Sequence, residues 1–443
     1  MPITLSTLNP EVRSSVGGPE AKELVASWEE QLKGGETCDT ICLRGKTYTP
    51  EAAKIIADFL TATENGQASV ASGVKVALID DIIASQHETD ALEVLTTISD
   101  AFKESKLVEV DLSDNAMGTK GVVACKSVLS GPAVSETLQK LRLCNNGLSK
   151  YTMDEVQVLL TEGESSCIAK NLTQVHFFNN MSDDAGCTSF KKIIACSENL
   201  TDIRFSGTRA KAAGSADIAS GLKDLAESGN LGNIVRLDLA DNSFGDCYED
   251  LAEALKVCSK LEFLDIHDCC LGDDGIVAVC EALIEAKAPL TFLSISGCDI
   301  GADGGYEGAS AVGKLIASIS GSIESFNASE NEIKSPGIRT IARAFKSDTV
   351  KQIYLNMNEI GSVGGNALAD MAAGVPNLEV IEINENGFVP DIVDRLTEVY
   401  GDKLVEMEDN IDDEDYDDEL DEEELKDDAA VDELADLLKK QKL

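Results

Sequence analysis

Leu107-Val108-Glu109-Val110-Asp111-Leu112-Ser113-Asp114-Asn115 is the stretch that decides the fold, with apolar residues at its first, fourth and sixth places and an asparagine at the ninth. The same frame falls on Leu138/Leu141/Leu143/Asn146, Leu172/Val175/Phe177/Asn180, Ile234/Leu237/Leu239/Asn242, Ile323/Phe326/Ala328/Asn331, Val350/Ile353/Leu355/Asn358 and Leu378/Ile381/Ile383/Asn386. Degenerate copies put Thr208, Cys269 and Cys298 at the asparagine place, and two weaker copies end at Lys46 and Ile82. From Asn115 onward the ninth places are separated by 31, 34, 28, 34, 27, 29, 33, 27 and 28 residues, room for a short strand and a helix in each copy.

That recurrence is the leucine-rich-repeat signature. Amphipathic stretches such as Gly275 to Ile284 fill the intervals, and residues such as Thr119 and Ser335 stand where they can accept the first free amides of a helix. Alternating strand and helix predict an α/β solenoid of the ribonuclease-inhibitor-like horseshoe type, with parallel strands on the concave face and helices on the convex face. A single repeat cannot bury its apolar face, so stability must come from stacking neighbours.

The chain has 443 residues, and the repeat predicts one elongated domain of about twelve repeats over 36–405 in place of several globular ones. Residues 1–35 precede it as a cap segment in which Leu24, Val25, Trp28 and Leu32 share one side of a helix, with a partner-binding helix as the alternative. Between Glu406 and Asp428, sixteen of twenty-three residues are acidic, which predicts a disordered tail over 406–430. A short amphipathic helix is expected over 431–443.

A formal charge of −43, from 80 acidic and 37 basic residues, is the opposite of a nucleic-acid-binding footprint. No apolar run is long enough to span a bilayer, and the first residues lack the regions of a signal peptide. The thirteen cysteines are scattered through the repeats and read as small buried hydrophobes of a reducing compartment. Asn180 completes a glycosylation pattern but lies on the ladder of ninth-place residues, which should be buried.

Catalytic motifs fail one by one. Gly45-Lys46-Thr47 lacks the earlier glycine of a phosphate-binding loop, and His87-Glu88-Thr89-Asp90-Ala91 lacks a second histidine. With three histidines and none beside cysteines at ligand spacing, no metal site is expected. The chain is not expected to be an enzyme in its own right.

The ladder residues Asn115, Asn146, Asn180, Asn242, Asn331, Asn358 and Asn386 are expected to satisfy turn backbone and to be structural. The residue just before each ladder position should face solvent, and in successive copies it is Asp81, Asp114, Asn145, Asn179, Gly207, Asp241, Asp268, Gly297, Glu330, Met357 and Glu385. That acidic row should steer a basic partner. Asn145 and Asn179 interrupt it with amides that both donate and accept.

Leu112-Ser113-Asp114-Asn115-Ala116-Met117-Gly118, then Leu141-Arg142-Leu143-Cys144-Asn145-Asn146-Gly147-Leu148, then His176-Phe177-Phe178-Asn179-Asn180-Met181, with the acidic tail, resemble the GTPase-activating proteins of the small GTPase Ran, the plant type most of all. The resemblance implies that Asn145 sits beside the catalytic glutamine of Ran, which then orients the attacking water, without an arginine finger. It implies Ran in its GTP form as partner, with a Ran-binding protein as a further one, contacts through Asp81, Gln86, Asp114, Asn179 and Asp241, and a role in nucleocytoplasmic transport. It implies no cofactor of the chain's own, since GTP and magnesium belong to the GTPase. Two departures accompany it: Ser85-Gln86 stands where the family has Gly-Arg, and the plant type's Trp-Pro-Pro domain is not seen. A monomer in the cytoplasm or near the nucleus is therefore expected. The alternatives are an acidic leucine-rich scaffold for histones or other basic proteins and, further off, an inhibitor of the ribonuclease-inhibitor type.

Overall fold

A computed structural model describes residues 2–63, 68–163 and 167–410; the expected helix at 431–443 and the tail from 411 onward lie outside the described residues. The chain divides into two units, Met1–Gly221 and Leu222–Leu443. In the first, strands β1 (Ile3–Ser6), β2 (Ser14–Val16), β3 (Cys38–Cys42), β4 (Lys46–Tyr48), β5 (Val76–Leu78), β6 (Glu109–Asp111), β7 (Lys140–Arg142), β8 (Gln174–His176) and β9 (Asp202–Arg204) are joined through helices, except between β1 and β2 and between β3 and β4. All of these except β2 and β4 form one parallel sheet, β1-β3-β5-β6-β7-β8-β9, and β2 pairs with β4. In the second unit β10 (Arg236–Asp238), β11 (Phe263–Asp265), β12 (Phe292–Ser294), β13 (Ser325–Asn327), β14 (Gln352–Tyr354) and β15 (Val380–Glu382) are parallel in chain order. Each unit is thus an α/β leucine-rich-repeat solenoid, with strand order equal to chain order.

The frame explains the register. From β5 to β15 the central residue of each strand is buried, and these residues stand opposite one another: Val110 with Leu141, Leu141 with Val175, Leu264 with Leu293. On the helical side, Ile276, Val279, Cys280 and Leu283 of Gly272–Ala286 are buried, the 3.6-residue pattern seen in the sequence. Aromatic rings bridge the layers, as where Phe190 stacks on Phe205 with centroids 4.0 Å apart. Among the described residues no helix is long and apolar enough to cross a membrane.

Thr49 and Ser149 cap their own helices by accepting the amides of Ala52 and Thr152, whereas Ser335 caps a different one. Ser335 lies inside helix Lys334–Ala344, yet its hydroxyl accepts the amides of Gly361 and Gly364, both at 3.1 Å, at the start of the next repeat's helix Ser362–Met371. Asp273 likewise accepts the amide of Gly308 at 2.9 Å in helix Glu307–Ser318, one repeat on. A first-turn side chain in one repeat therefore caps the following helix, so the cap couples neighbours as the buried core does.

The amino-terminal segment does more than place one helix on the first repeat. Besides helix Gly18–Leu32 it supplies β1, which extends the sheet beyond β3. Trp28 is fully buried, and its indole N–H donates to the Ser6 carbonyl at 2.8 Å. Lys46, at the ladder place of the first weak repeat, is 2% exposed. Its Nζ donates to the carbonyls of Asn9 (2.8 Å) and Val12 and to the Ser14 hydroxyl (3.2 Å). The ammonium binds the entering chain, which accounts for a lysine after Gly45 without any phosphate.

Candidate functional site

The loops that follow the strands carry the row and the ladder, and the two face opposite ways. Asn115, Asn146 and Asn180 are buried. The Asn146 carboxamide accepts the amide of Asn115 at 2.9 Å and donates to the Leu112 carbonyl at 3.0 Å. Asn180 in turn accepts the amides of Asn146 (3.1 Å) and Leu148 (3.0 Å). In the second unit Asn331 accepts from Cys298 and Ile300, and Asn386 accepts from Asn358 and Ile360. Asn242 donates to the Leu239 carbonyl at 2.6 Å, and Asn358 to that of Ala328 at 2.9 Å. Each ladder side chain therefore pairs with turn backbone groups that have no water to turn to.

The cysteines at ladder places are donors as well as hydrophobes. Cys269 Sγ lies 3.3 Å from the Leu239 carbonyl and Cys298 Sγ 3.0 Å from that of Ile266. Burial pushes the Cys298 thiol up to about 12, so its hydrogen stays in place to be donated. All thirteen cysteines are free thiols.

Asn145 is exposed and central to a chain of side-chain hydrogen bonds. Its Nδ2 donates to Asp114 Oδ1 at 2.7 Å, and its Oδ1 accepts from Asn179 Nδ2 at 3.0 Å. An ionised Asp114 can only accept, which fixes the orientation of both amides. One N–H and one lone pair of Asn145 remain beyond these two bonds. Below it Asn146 locks the turn, and the Asn145 amide donates to the Phe178 carbonyl at 2.8 Å. The side chain thus stands on a rigid base, held by both neighbours in its row.

The whole row shares a backbone conformation that sequence reasoning missed. Asp81, Asp114, Asn145, Asn179, Gly207, Asp241, Asp268, Gly297, Glu330, Met357 and Glu385 all have φ between 51 and 61°. Left-handed backbone favours glycine, asparagine and aspartate, so eight of these eleven identities have a conformational cause apart from any partner. The turn aims each amide at the next repeat, as from Asp114 to Cys144 (2.9 Å) and from Asp268 to Ser296 (2.8 Å).

The structure brings Asp114, Asn145 and Asn179 into direct side-chain contact, and each of the other expected contact residues is engaged with a different partner. Asp81 is ion-paired with the guanidinium of Arg13 from the amino-terminal segment. Gln86 is half-buried and donates its amide to the Tyr48 carbonyl, a bond inward to the preceding repeat. Asp241 belongs to the second unit, where its carboxylate lies 3.9 Å from His267 Nε2.

Beside the Asn145 cluster runs an ion network that single-residue inspection of the sequence did not reveal. Arg44 pairs with Asp80 (3.0 Å) and Asp111 (3.4 Å), and Arg142 with Glu109 (2.8 Å) and Asp111 (3.4 Å). The signal was present as the strand positions between apolar residues, which a parallel register stacks side by side. Burial and the neighbouring Asp111 push the Asp80 carboxyl up against the opposing pull of Arg44. In the second unit, the hydrogen bond to Asp265 raises His267 to about 9 against the effect of burial, with Asp241 and Asp268 adding to the rise.

Comparison with known proteins agrees with the repeat. The family model described as Leucine Rich repeat matches residues 104–124, 257–280 and 287–311. The chain is similar to RAN GTPase-activating protein 2 of Arabidopsis thaliana, 32% identical over 126 residues, 28% of this chain and 21% of the relative. It is similar to RAN GTPase-activating protein 1 of the same plant, 34% identical over 85 residues, 19% of this chain and 15% of the relative. It also resembles NACHT, LRR and PYD domains-containing protein 9 of Bos taurus, 26% identical over 216 residues, 43% of this chain and 21% of the relative. The chain therefore spans about a fifth or less of the length of each relative. Repeat frame, parallel strand order and the matched family model together give each unit the leucine-rich-repeat solenoid fold.

Proposed function

We propose that the chain accelerates GTP hydrolysis by the small GTPase Ran, with Asn145 as the group that acts on the GTPase. The plant relatives support the class, and the local likeness across Leu112–Gly118, Leu141–Leu148 and His176–Met181 supports the residue. The observation that carries the proposal is the state of the Asn145 carboxamide: exposed, oriented by Asp114 and Asn179, with a donor and an acceptor still available. A glutamine amide on the partner offers the complementary donor and acceptor. Pairing with it would hold that glutamine so that it orients the attacking water, a contribution of positioning. GTP and magnesium reside on the GTPase in this reading, and the chain acts as a cytoplasmic regulator.

Net charge of −43 suits a basic partner face. The test is single-turnover hydrolysis by GTP-loaded Ran with and without the chain, beside a panel of other small GTPases. Acceleration of Ran alone is expected, and no acceleration of Ran refutes the proposal.

The second reading, an acidic scaffold for histones or other basic proteins, is favoured by a cleft in the second unit. Asp299, Glu330, Glu332, Glu359 and Glu385 line it beside Met357. It predicts salt-sensitive histone binding that survives loss of the Asn145 side chain, so the same variant separates the two.

A further inference from the structure

His267 follows β11 in the second unit, and carboxylates surround its ring on the loop side. Nδ1 lies 2.7 Å from Asp265 Oδ1. A carboxylate can only accept there, so Nδ1 carries a hydrogen, and Nε2 is the nitrogen that can ligate an ion once it gives up its own proton. That nitrogen is 3.9 Å from Asp241 Oδ2. One ligand atom each from Asp241, His267 and Asp268 lies within 4.8 Å of the others.

The roots of these side chains are fixed by the repeat. Asp241 and Asp268 occupy the left-handed position of successive loops, at φ 55° and 52°. Their amides are tied to the His267 carbonyl at 3.0 Å and the Ser296 carbonyl at 2.8 Å. The next place in the row is Gly297, where a Cβ would stand 2.0 Å from Asp268 Oδ1. Glycine there leaves space for the Asp268 carboxylate in the position from which it reaches the cluster.

We infer that Asp241, His267 and Asp268 form a surface site for a divalent transition-metal ion, zinc above all, with Asp265 as the outer group that orients His267. Zinc bonds of about 2.0–2.2 Å place tetrahedral ligand atoms about 3.4 Å apart, within a small side-chain adjustment of this cluster. An imidazole nitrogen with two carboxylates suits zinc better than calcium or magnesium, which take oxygen ligands in larger number. Two carboxylates balance the ion's charge, and a fourth position stays open to water. A histidine whose second nitrogen donates to a carboxylate is the usual arrangement around a metal-bound imidazole. The site lies in the unit that does not contain Asn145 and does not depend on the GTPase reading.

The test is calorimetric titration of chelator-treated full-length protein with zinc chloride. Exposed Cys270 adjoins Asp268, so the titration is run on the wild type and on Cys270→Ser. One equivalent bound with equal affinity by both is expected. His267→Ala should weaken that binding at least about 100-fold and Asp265→Asn about 10- to 100-fold, the usual cost of an outer-shell partner. Asp241→Asn, which keeps the side chain's volume, should also weaken it. Unchanged affinity in His267→Ala, loss of binding in Cys270→Ser, or calcium binding as tightly as zinc would each overturn the assignment.

Discussion

Two adjacent asparagines differ in everything except identity, and separating them is the sharpest test of the site. Asn145→Ala is a poor probe, because φ there is 51° and an alanine in left-handed backbone costs about 1–2 kcal/mol. Asn145→Gly removes the carboxamide without that strain. It loses two exposed hydrogen bonds that water replaces, so stability should stay within about 1 kcal/mol of the wild type. Asn146→Ala is different. It strands the Asn115 amide, whose acceptor is Asn146 Oδ1 at 2.9 Å, and removes one of two donors to the Leu112 carbonyl. An orphaned buried amide costs about 1–3 kcal/mol and a lost hydrogen bond about 1, so about 2–4 kcal/mol is expected. Denaturant melts give the stability, amide exchange at Asn115 locates the loss, and single-turnover hydrolysis by Ran at saturating protein gives the activity. Asn145→Gly should lower hydrolysis by about 10² to 10³, the size of losing one pre-positioned hydrogen-bonding group. Asn146→Ala should keep its activity wherever it stays folded. Near-normal hydrolysis with Asn145→Gly would refute the role given to that amide, and an unchanged melt with Asn146→Ala would refute the ladder argument.

Lys46→Met should release residues 9–14 by removing the donor to Asn9, Val12 and Ser14, costing about 2 kcal/mol locally; limited proteolysis should nick that segment while the repeats stay intact. Ser335→Ala should cost about 1–2 kcal/mol, with faster exchange at Gly361 and Gly364 in the next repeat and no fraying of its own helix. Met357→Asn should stabilise by about 0.5–1 kcal/mol, read as a higher melting midpoint, because asparagine tolerates the left-handed φ of 55° better than methionine. In metal-free protein His267, raised to about 9 by Asp265, Asp241 and Asp268, should stabilise fully below its unfolded value and lose that contribution as pH rises through about 9. The melting difference between wild type and His267→Ala should therefore shrink across that range.

The repeat frame was legible because it is redundant: one apolar pattern written many times fixes strand, register and ladder together, even where Cys298 stands for asparagine. What stayed hidden were relations between repeats. Ser335 looks like the start of its own helix, and only the offset between stacked helices shows that its hydroxyl reaches the next. Lys46 breaks the ladder pattern for a reason that lies in residues 9–14, a stretch with no repeat to align. The candidate site was legible in the same uneven way. Asn145 could be placed on the solvent side by counting from the ladder, but its orientation depends on Asp114 and Asn179, contributed by the loops on either side.

The acidic row shows how a backbone requirement can pass for a binding surface. Asp, Asn and Gly at φ near 55° satisfy the turn whether or not anything docks there, so the charge of Asp81, Asp114, Asp241 and Asp268 cannot by itself argue for a partner. The discriminating positions are those that bear the strain without the compensation. Glu330, Met357 and Glu385 hold left-handed backbone with side chains that gain nothing from it, and all three line the same cleft. Strain kept at adjoining positions is a better pointer to use than charge spread along a row that the turn already favours. If that strain marks use, binding of a basic protein at the cleft should respond to Glu330→Asn and Glu385→Asn while hydrolysis by Ran does not. If both variants alter hydrolysis and leave histone binding untouched, the cleft belongs to the GTPase surface and the scaffold reading falls.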